Sequence, residues 1–157
     1  AFRTPFHPYD KGACQVMINV TNELAQALVQ RALEARENAY CPYSDFAVGA
    51  ALLCGDGTVY SGCNIECASL SPGNCAERTA FFRAVNDGQR SFAAIAVAGG
   101  PQGQAPDARC APCGVCRQVM REFCQPDFAV IMTDGAQRRV MTLEELLPMA
   151  FGPDNLK

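Results

Sequence analysis

The chain has 157 residues, 49% of them hydrophobic, and a formal net charge of −3. This length fits one domain of roughly 100 to 200 residues with a genuine core. The net negative charge argues against tight binding to a phosphate backbone, which requires clustered Lys and Arg, and favours a small neutral substrate. The apolar runs are shorter than the roughly 20 residues that a membrane-spanning helix needs.

The cysteine content is high, at ten residues. The first stretch, AFRTPFHPYDKGACQV, has no apolar run followed by a small-residue cleavage site, so we expect a cytoplasmic protein. In a reducing cytosol, cysteines serve metal or redox chemistry at some positions and small buried packing at the others. The single histidine, His7, lies far from the other candidate residues, and we expect it at the surface.

The first half of the chain predicts a helix, a β-hairpin and a second helix. Between residues 21 and 39, apolar residues recur at the spacing of a helix with one buried face: Leu24, Leu28, Ala32, Ala35 and Ala39. Pro42 forbids its continuation. The stretch FAVGAALLCGDGTVYSGCNIE reads as two strands joined by a turn at residues 55–57. The second helix is predicted from Cys75 to Val85, ending near Gly88.

The second half alternates strands and helices. FAAIAVAGG, residues 92–100, reads as a buried strand, and PQGQAPDARCAP reads as a loop. A third helix opens at Cys113 and carries Val115, Val119 and Phe123 at four-residue spacing. DFAVIMTDGAQRRVMT predicts two more strands, and LEELL a short helix. Five strands alternating with helices predict an α/β fold whose sheet is covered on both faces.

A C-x-x-C pair, Cys113 and Cys116, is the first candidate for metal chemistry. At a helix start, residues three apart share one face, so the two sulfurs can hold one ion. The pair by itself fits a thioredoxin-like redox site, half of a structural zinc site, or two ligands of a catalytic zinc. A structural site needs a fourth ligand, for which Cys110 is available.

The heptapeptide NCAERTA, residues 74–80, favours the catalytic interpretation. Neither a redox pair nor a closed structural site explains a glutamate, Glu77, two residues after Cys75 at the first turn of a helix. Thiolates from Cys75, Cys113 and Cys116 would leave the fourth tetrahedral position of Zn²⁺ to water. Glu77 beside that position would take and return the proton of the water.

Five ordered motifs, CPYSDFAVGAALL, NIE, CAERTA, PCGVCRQ and LLPMAFG, resemble those of the small homotetrameric cytidine deaminases that act on free nucleosides. The resemblance runs from about residue 21 to the C-terminal FGPDNL and includes the zinc deaminase signature, His or Cys before x-E and then P-C-x-x-C. It implies a three-layer α/β/α fold with a mixed five-stranded sheet, one Zn²⁺ per subunit, and a cytoplasmic enzyme of pyrimidine salvage. It further implies a homotetramer whose active sites are shared between subunits. Residues 17–157 then form one cytidine deaminase domain, and residues 1–16 an N-terminal extension or a cloning remnant.

The same resemblance assigns roles to individual residues. Cys75, Cys113 and Cys116 match the zinc ligands, and Glu77 matches the residue that moves the proton to N3 of cytosine and then to the departing amine. The positions matching substrate contacts are Phe46 and Phe151 against the pyrimidine, Asn64 and Glu66 on the ribose hydroxyls, the Ala76 N–H on the base O2, and the Ala111 carbonyl on the leaving amine. Phe151 would come from an adjoining subunit. Arg78 and Arg117, followed by Gln118, adjoin the ligands, and we expect both arginines to donate to sulfur, with a solvated salt bridge as the alternative.

Three other functions share parts of this pattern. The deaminases of blasticidin, a cytosine nucleoside antibiotic, have the zinc motif but resemble the stretch around Asn64 and Glu66 poorly. A structural zinc or interaction module would close the site with Cys110. A nucleic-acid editor needs a basic groove for the strand, which the acidic charge does not favour. Two positions depart from the family: Leu70 replaces a common aromatic residue, and Cys67 a common asparagine.

Overall fold

The computed structural model describes residues 20–156, and its elements follow the predicted order. The helices are α1 (Asn22–Arg36), α2 (Ala76–Asn86), α3 (Gly114–Phe123) and α4 (Leu143–Leu146), and a 3-10 turn spans Pro153–Leu156. The strands are β1 (Phe46–Cys54), β2 (Val59–Cys63), β3 (Phe92–Pro101), β4 (Ala129–Thr133) and β5 (Arg138–Thr142). The predicted N-terminal extension, with His7, lies outside the described residues. Within residues 20–156, none of the helices has the length and apolar character needed to cross a bilayer.

The five strands form one mixed sheet in the order β2-β1-β3-β4-β5. β1 pairs antiparallel with both β2 and β3, while β3 and β4 run parallel and β5 returns antiparallel to β4. A parallel pair requires a crossover connection, and here α3 provides it. The loop that leaves β3 therefore has to carry the chain to the start of α3, where the C-x-x-C motif lies.

Helices cover both faces of this sheet, so the predicted three-layer α/β/α arrangement is confirmed. One face packs against α1 through Ala51, Leu53, Ala94, Ala96, Ala98 and Ile131. The other packs against α2, α3 and α4 through Ala50, Leu52, Ile95, Val97, Val130 and Met132. Successive residues of a strand point to opposite faces, which is why these fully apolar strands serve two cores at once.

The buried faces of α1 and α3 differ from those predicted by apolar spacing. In α1 the buried stripe includes Ala25 and Val29, whereas Leu24 is only partly buried. The helix ends at Arg36, well before Pro42, so the proline does not end it. In α3 Val115 is 58% exposed. The inward stripe of α3 is instead formed by Cys116 and Met120, four residues apart.

Candidate active site

Two helix starts bring the three predicted cysteines together. Cys75 is the N-cap residue of α2, Cys113 is the N-cap residue of α3, and Cys116 is buried in the first turn of α3. The Sγ atoms of all three lie within 4.8 Å of one another. Cys75 Sγ is 3.8 Å from Cys113 Sγ, which is 3.5 Å from Cys116 Sγ. Among residues 20–156, these three thiols form the one group of three or more potential metal ligands whose donor atoms lie close enough to hold a single ion.

The donor set and its spacing fit Zn²⁺. Thiolates about 2.3 Å from a tetrahedral ion are separated from one another by about 3.8 Å, close to the observed sulfur separations. Cys110 does not belong to the group, which has three members among residues 20–156. Three protein ligands are typical of a catalytic zinc, whereas a structural zinc has four. The closed site with Cys110 is therefore not formed.

The surroundings of the three sulfurs favour negative charge. Neither Cys75 nor Cys113 makes a side-chain capping hydrogen bond, and each helix N-terminus carries about half a positive charge. Arg78 Nη2 donates to Cys75 Sγ at 3.6 Å. A hydrogen bond from Cys116, together with Arg78, lowers the pKa of the Cys75 thiol, and the same hydrogen bond raises the pKa of Cys116.

Arg78 has a second N–H group, at Nε, that could donate to the sulfurs if all three cysteines were thiolates. Its Nε is buried and has no hydrogen-bond partner among the described residues. Leaving a buried donor unpaired is unfavourable by about 1 to 3 kcal/mol. The hydrogen bond to Cys75 raises the pKa of Arg78, and Cys116 contributes in the same direction. Three thiolates on a zinc ion would offer this N–H an acceptor.

Glu77 is a buried carboxyl next to the thiols. It lies in the first turn of α2 and is 4% exposed. Burial raises the pKa of Glu77 to about 7, and the nearby Cys75 contributes in the same direction, whereas hydrogen bonding to Cys116 acts to lower it. A carboxyl with a pKa near neutrality can both accept and release a proton at working pH.

Arg117 and Gln118 contact carbonyl oxygens, which differs from the expected donation of Arg117 to sulfur. Arg117 Nε–H donates to Pro112 O at 2.6 Å, and its Nη1–H donates to Leu146 O at 2.7 Å. Gln118 Nε2–H donates to Phe151 O at 2.9 Å. These bonds tie the start of α3 to the loop before Cys113 and to the segment after α4. The guanidinium of Arg117 is thus engaged by two carbonyl oxygens.

Asn64 and Glu66 follow β2 and are held against the start of β1. Asn64 Oδ1 accepts the N–H of Val48 at 2.8 Å, and Asn64 Nδ2 donates to Phe46 O at 2.8 Å. Glu66 Oε2 accepts the N–H groups of Tyr43 and Ser44 at 2.9 and 3.2 Å. Hydrogen bonds from Ser44 and Tyr43 lower the pKa of Glu66, so this carboxylate is fixed and charged.

The two candidate aromatic residues occupy different places. Phe46 begins β1 and borders Gly99 of β3, where an added Cβ would lie 3.3 Å from Phe46 Cε1 and 2.4 Å from Cys110 Sγ. Glycine at position 99 thus leaves room for the Phe46 ring and the Cys110 thiol. Phe151 lies beyond α4 and is 60% exposed. Its carbonyl accepts a hydrogen bond from Gln118 of α3.

Ala76 and Ala111 adjoin the ligands directly. Ala76 is the first residue of α2 and is fully buried against β2, where a Cβ at Gly62 would lie 2.5 Å from Ala76 O. Ala111 is partly buried and precedes Pro112. A glycine within a strand is the signal that could have pointed to this close approach of β2 and α2.

Arg36 is a site-organising residue that the sequence pattern did not reveal. It is buried, and its guanidinium donates to four carbonyl oxygens, those of Ala47, Gly100, Pro101 and Gln104, at 2.7 to 3.0 Å. These bonds join α1 to β1, to the end of β3 and to the start of the loop that leads to Cys113. A charged residue at a helix end is usually solvated, so its spacing gave no sign of this role.

The fold and the site together define a class of protein. A mixed sheet between helices, three thiols at two helix N-termini and a buried carboxyl beside them are the features of the zinc-dependent hydrolytic deaminases. A family model described as the cytidine and deoxycytidylate deaminase zinc-binding region matches residues 22–132. The chain belongs to this family, and its cofactor is Zn²⁺.

Individual relatives agree with this assignment. A cytidine deaminase from Sporosarcina psychrophila is 49% identical over 132 residues, which cover 83% of this chain and 93% of the relative. A cytidine deaminase from Halalkalibacterium halodurans is 47% identical over 132 residues, covering 83% of this chain and 96% of the relative. The crystal structure of a cytidine deaminase from Burkholderia pseudomallei has a TM-score of 0.71 at 48% identity, covering 80% of this chain and 98% of that chain. The predicted family, enzyme class and zinc cofactor are therefore confirmed, and the antibiotic-deaminase and structural-module alternatives are not favoured.

Proposed function

We propose that this chain catalyses the hydrolysis of cytidine and deoxycytidine to uridine and deoxyuridine, with release of ammonia. The observation that carries the proposal is the buried carboxyl of Glu77 beside three thiols that two helix N-termini bring together. The relatives named cytidine deaminase, matched over at least 93% of their length at 47% and 49% identity, support the substrate class.

Cys75, Cys113 and Cys116 would hold the zinc ion, and Glu77 would move the protons. Bound zinc supplies Lewis-acid activation of a water molecule for attack on C4 of cytosine. Glu77 accepts a proton from the attacking water and transfers it to N3 of the base. It then transfers the second proton of that water to the departing amine. Burial of Glu77 keeps these transfers away from bulk solvent and raises its pKa, so that the carboxyl both takes up and gives up a proton.

The charge of the ligand set requires compensation by the chain. Three thiolates around Zn²⁺ leave a net charge of about −1, which opposes loss of a proton from the attacking water. The N-termini of α2 and α3 and the guanidinium of Arg78 offset part of this charge. Arg117 acts less directly, because it holds the Pro112 carbonyl next to Cys113.

The base would be held by one ring and two backbone groups. Phe46 lies at the start of β1 beside Gly99, where its ring can pack on the pyrimidine. The N–H of Ala76, at a helix N-terminus, has no partner within the helix and can donate to the base O2. The carbonyl of Ala111 precedes Pro112 and can accept from the leaving amine.

The ribose would be held by Asn64 and Glu66. Each side chain is already fixed by two backbone groups, yet retains free hydrogen-bonding capacity: a carboxylate has two oxygens, and an amide has two N–H groups. This pre-arrangement reduces the entropy lost when the hydroxyls bind.

A cytoplasmic homotetramer with shared sites is the assembly that we propose. The segment after α4 exposes three apolar side chains within eight positions, Met149, Phe151 and Leu156, and exposed apolar patches mark contact surfaces. Phe151 would enter the substrate site of an adjoining subunit, and Gln118 would hold its carbonyl.

The test measures the deaminase activity of the purified chain on cytidine, deoxycytidine, cytidine monophosphate and single-stranded DNA. Loss of cytosine absorbance should occur with both nucleosides. Glu77→Gln should lower kcat by about 10² to 10⁴-fold with zinc retained, since removal of a proton-transfer group has effects of this size. Glu37→Gln, an exposed carboxylate after α1, is the matched control. Activity on the polymer but not on the nucleosides would refute the proposed substrate, and full activity of Glu77→Gln would refute the proton-transfer role.

A further inference from the structure

The C-terminal segment, residues 147–156, is attached to α3 by polar side chains. Besides the bond from Gln118 to the Phe151 carbonyl, Arg121 Nη2 forms an ion pair with Asp154 Oδ2 at 3.1 Å. The Arg121 side chain is 13% exposed and that of Asp154 is 53% exposed. Both attachments start from α3, the helix whose first turn carries Cys113 and Cys116.

Gly152 is the point at which Arg121 touches the segment. A Cβ at Gly152 would lie 2.7 Å from Arg121 Cζ and 2.8 Å from Nε, so the guanidinium lies directly against this residue. Asn155 closes the other side: its Oδ1 accepts the Gly152 N–H at 2.8 Å, and its own N–H donates to Gly152 O at 2.9 Å. Any side chain at position 152 would force the guanidinium to move.

These contacts hold the backbone on the C-terminal side of Phe151, while the phenyl ring of Phe151 stays exposed to solvent. The Phe151 carbonyl and the next residue are both held, yet the side chain stays exposed. Met149, two residues earlier, adopts a φ of 54° and is fully exposed.

We propose that Arg121 is a positioning residue for the reaction. Its contact with Gly152 and its ion pair with Asp154 hold the C-terminal segment on α3, and this hold sets where the Phe151 ring meets the pyrimidine bound by an adjoining subunit. The inference rests on the proposed function, because Arg121 acts on the substrate only through Phe151. In this proposal α3 carries two zinc ligands of the active site in its own subunit and also positions the aromatic ring that enters the active site of an adjoining subunit.

The expected effect falls on substrate binding. An ion pair with a half-exposed partner contributes little to folding, so its loss should leave the fold and the zinc site intact. A ring that is no longer held must be ordered when the substrate binds, and this weakens ground state and transition state alike. Such a loss raises KM and leaves kcat unchanged.

The first experiment measures kcat and KM for cytidine, zinc content and oligomer mass in Arg121→Gln, Arg121→Lys and Asp154→Asn. Arg121→Gln and Asp154→Asn should raise KM about threefold to tenfold with kcat within about twofold. Arg121→Lys keeps the charge and should recover part of the loss. Zinc content and mass should not change. Glu122→Gln, an exposed carboxylate on the same helix, is the matched control. Unchanged KM in Asp154→Asn and Arg121→Gln would overturn the proposal.

The second experiment asks whether Arg121 acts through Phe151. Phe151→Ala should raise KM, and adding Arg121→Gln to it should change KM by less than about twofold, since two residues acting in series are not additive. A merely structural role of Arg121 predicts additive effects, and these would overturn the proposal, as would an unchanged KM in Phe151→Ala. An active wild-type chain with additive effects refutes only the positioning role, whereas a wild-type chain inactive on cytidine refutes the proposed function and the inference together.

Discussion

At the scale of single residues, the site depends on how charge is distributed around three sulfurs. Arg78 Nη2 already contacts Cys75 Sγ, and its buried Nε has no partner among the described residues. Groups that hydrogen bond to metal ligands affect metal affinity by about 10 to 100-fold when they are removed. Arg78 is therefore expected to contribute to zinc retention rather than to a surface ion pair.

Arg78→Ala should release zinc to a chromogenic chelator about 10-fold faster than the wild-type chain, because three thiolates then lose their nearest cation. Arg139→Ala, which removes an exposed arginine on β5, is the control for the change in net charge. Identical release rates and identical kcat/KM for wild type and Arg78→Ala would show that the arginine has no role at the metal.

Cys110→Ser should keep one zinc per chain, whereas Cys116→Ser should lose most of it. Cys110 lies beside Gly99 and outside the three-thiol group, and burial raises the pKa of its thiol to about 11, so that it stays neutral. Zinc content measured by mass spectrometry distinguishes the two variants. Loss of zinc from Cys110→Ser would support a closed four-thiol site instead.

At the scale of the elements, glycines in the strands set how closely the helices approach. A Cβ at Gly49 would lie 2.0 Å from Ala32 O of α1, and a Cβ at Gly62 would lie 2.5 Å from Ala80 N of α2. Both contacts are with backbone atoms, which cannot rotate away. Gly62 therefore lets the first turns of α2, the helix that carries Cys75 and Glu77, pack directly against β2.

Gly62→Ala should lower the free energy of unfolding by about 1 to 3 kcal/mol, since the added methyl overpacks against the backbone of α2. Gly114→Ala at the first residue of α3 is the matched substitution, because nothing lies within 4 Å of the added Cβ. Urea unfolding measures both. Equal stability of the two variants would mean that α2 can shift without loss.

At the scale of the whole molecule, the site joins parts of the chain that are far apart in sequence. Cys75 comes from α2 and the other two thiols from α3, with β3 and a loop held by Arg36 between them. A ligand that binds the folded state and not the unfolded state stabilises the fold by mass action. Zinc should therefore stabilise the packing of α2 against α3.

Removal of zinc with a chelator should lower the Tm of the chain, and added Zn²⁺ should restore it, because thiolates prefer zinc to hard cations. Mg²⁺ at the same concentration is the control and should restore nothing. A Tm that does not respond to chelation, in a chain shown to have lost its zinc, would contradict this coupling between metal and fold.

The sequence by itself determined the order of the elements and the two local parts of the site, Cys75 with Glu77 and Cys113 with Cys116, because these depend on local propensity and on spacing within one helix turn. The sheet and its crossover decided how these two parts, which belong to different helices, meet. The tertiary structure decided what the longer polar side chains do. Arg36 turns inward to four carbonyls, Arg117 binds Pro112 and Leu146, and Arg121 holds the segment that carries Phe151. Their partners lie up to 68 residues away along the chain. A flexible cationic side chain has no preferred partner until packing brings distant carbonyl and carboxylate oxygens within its reach.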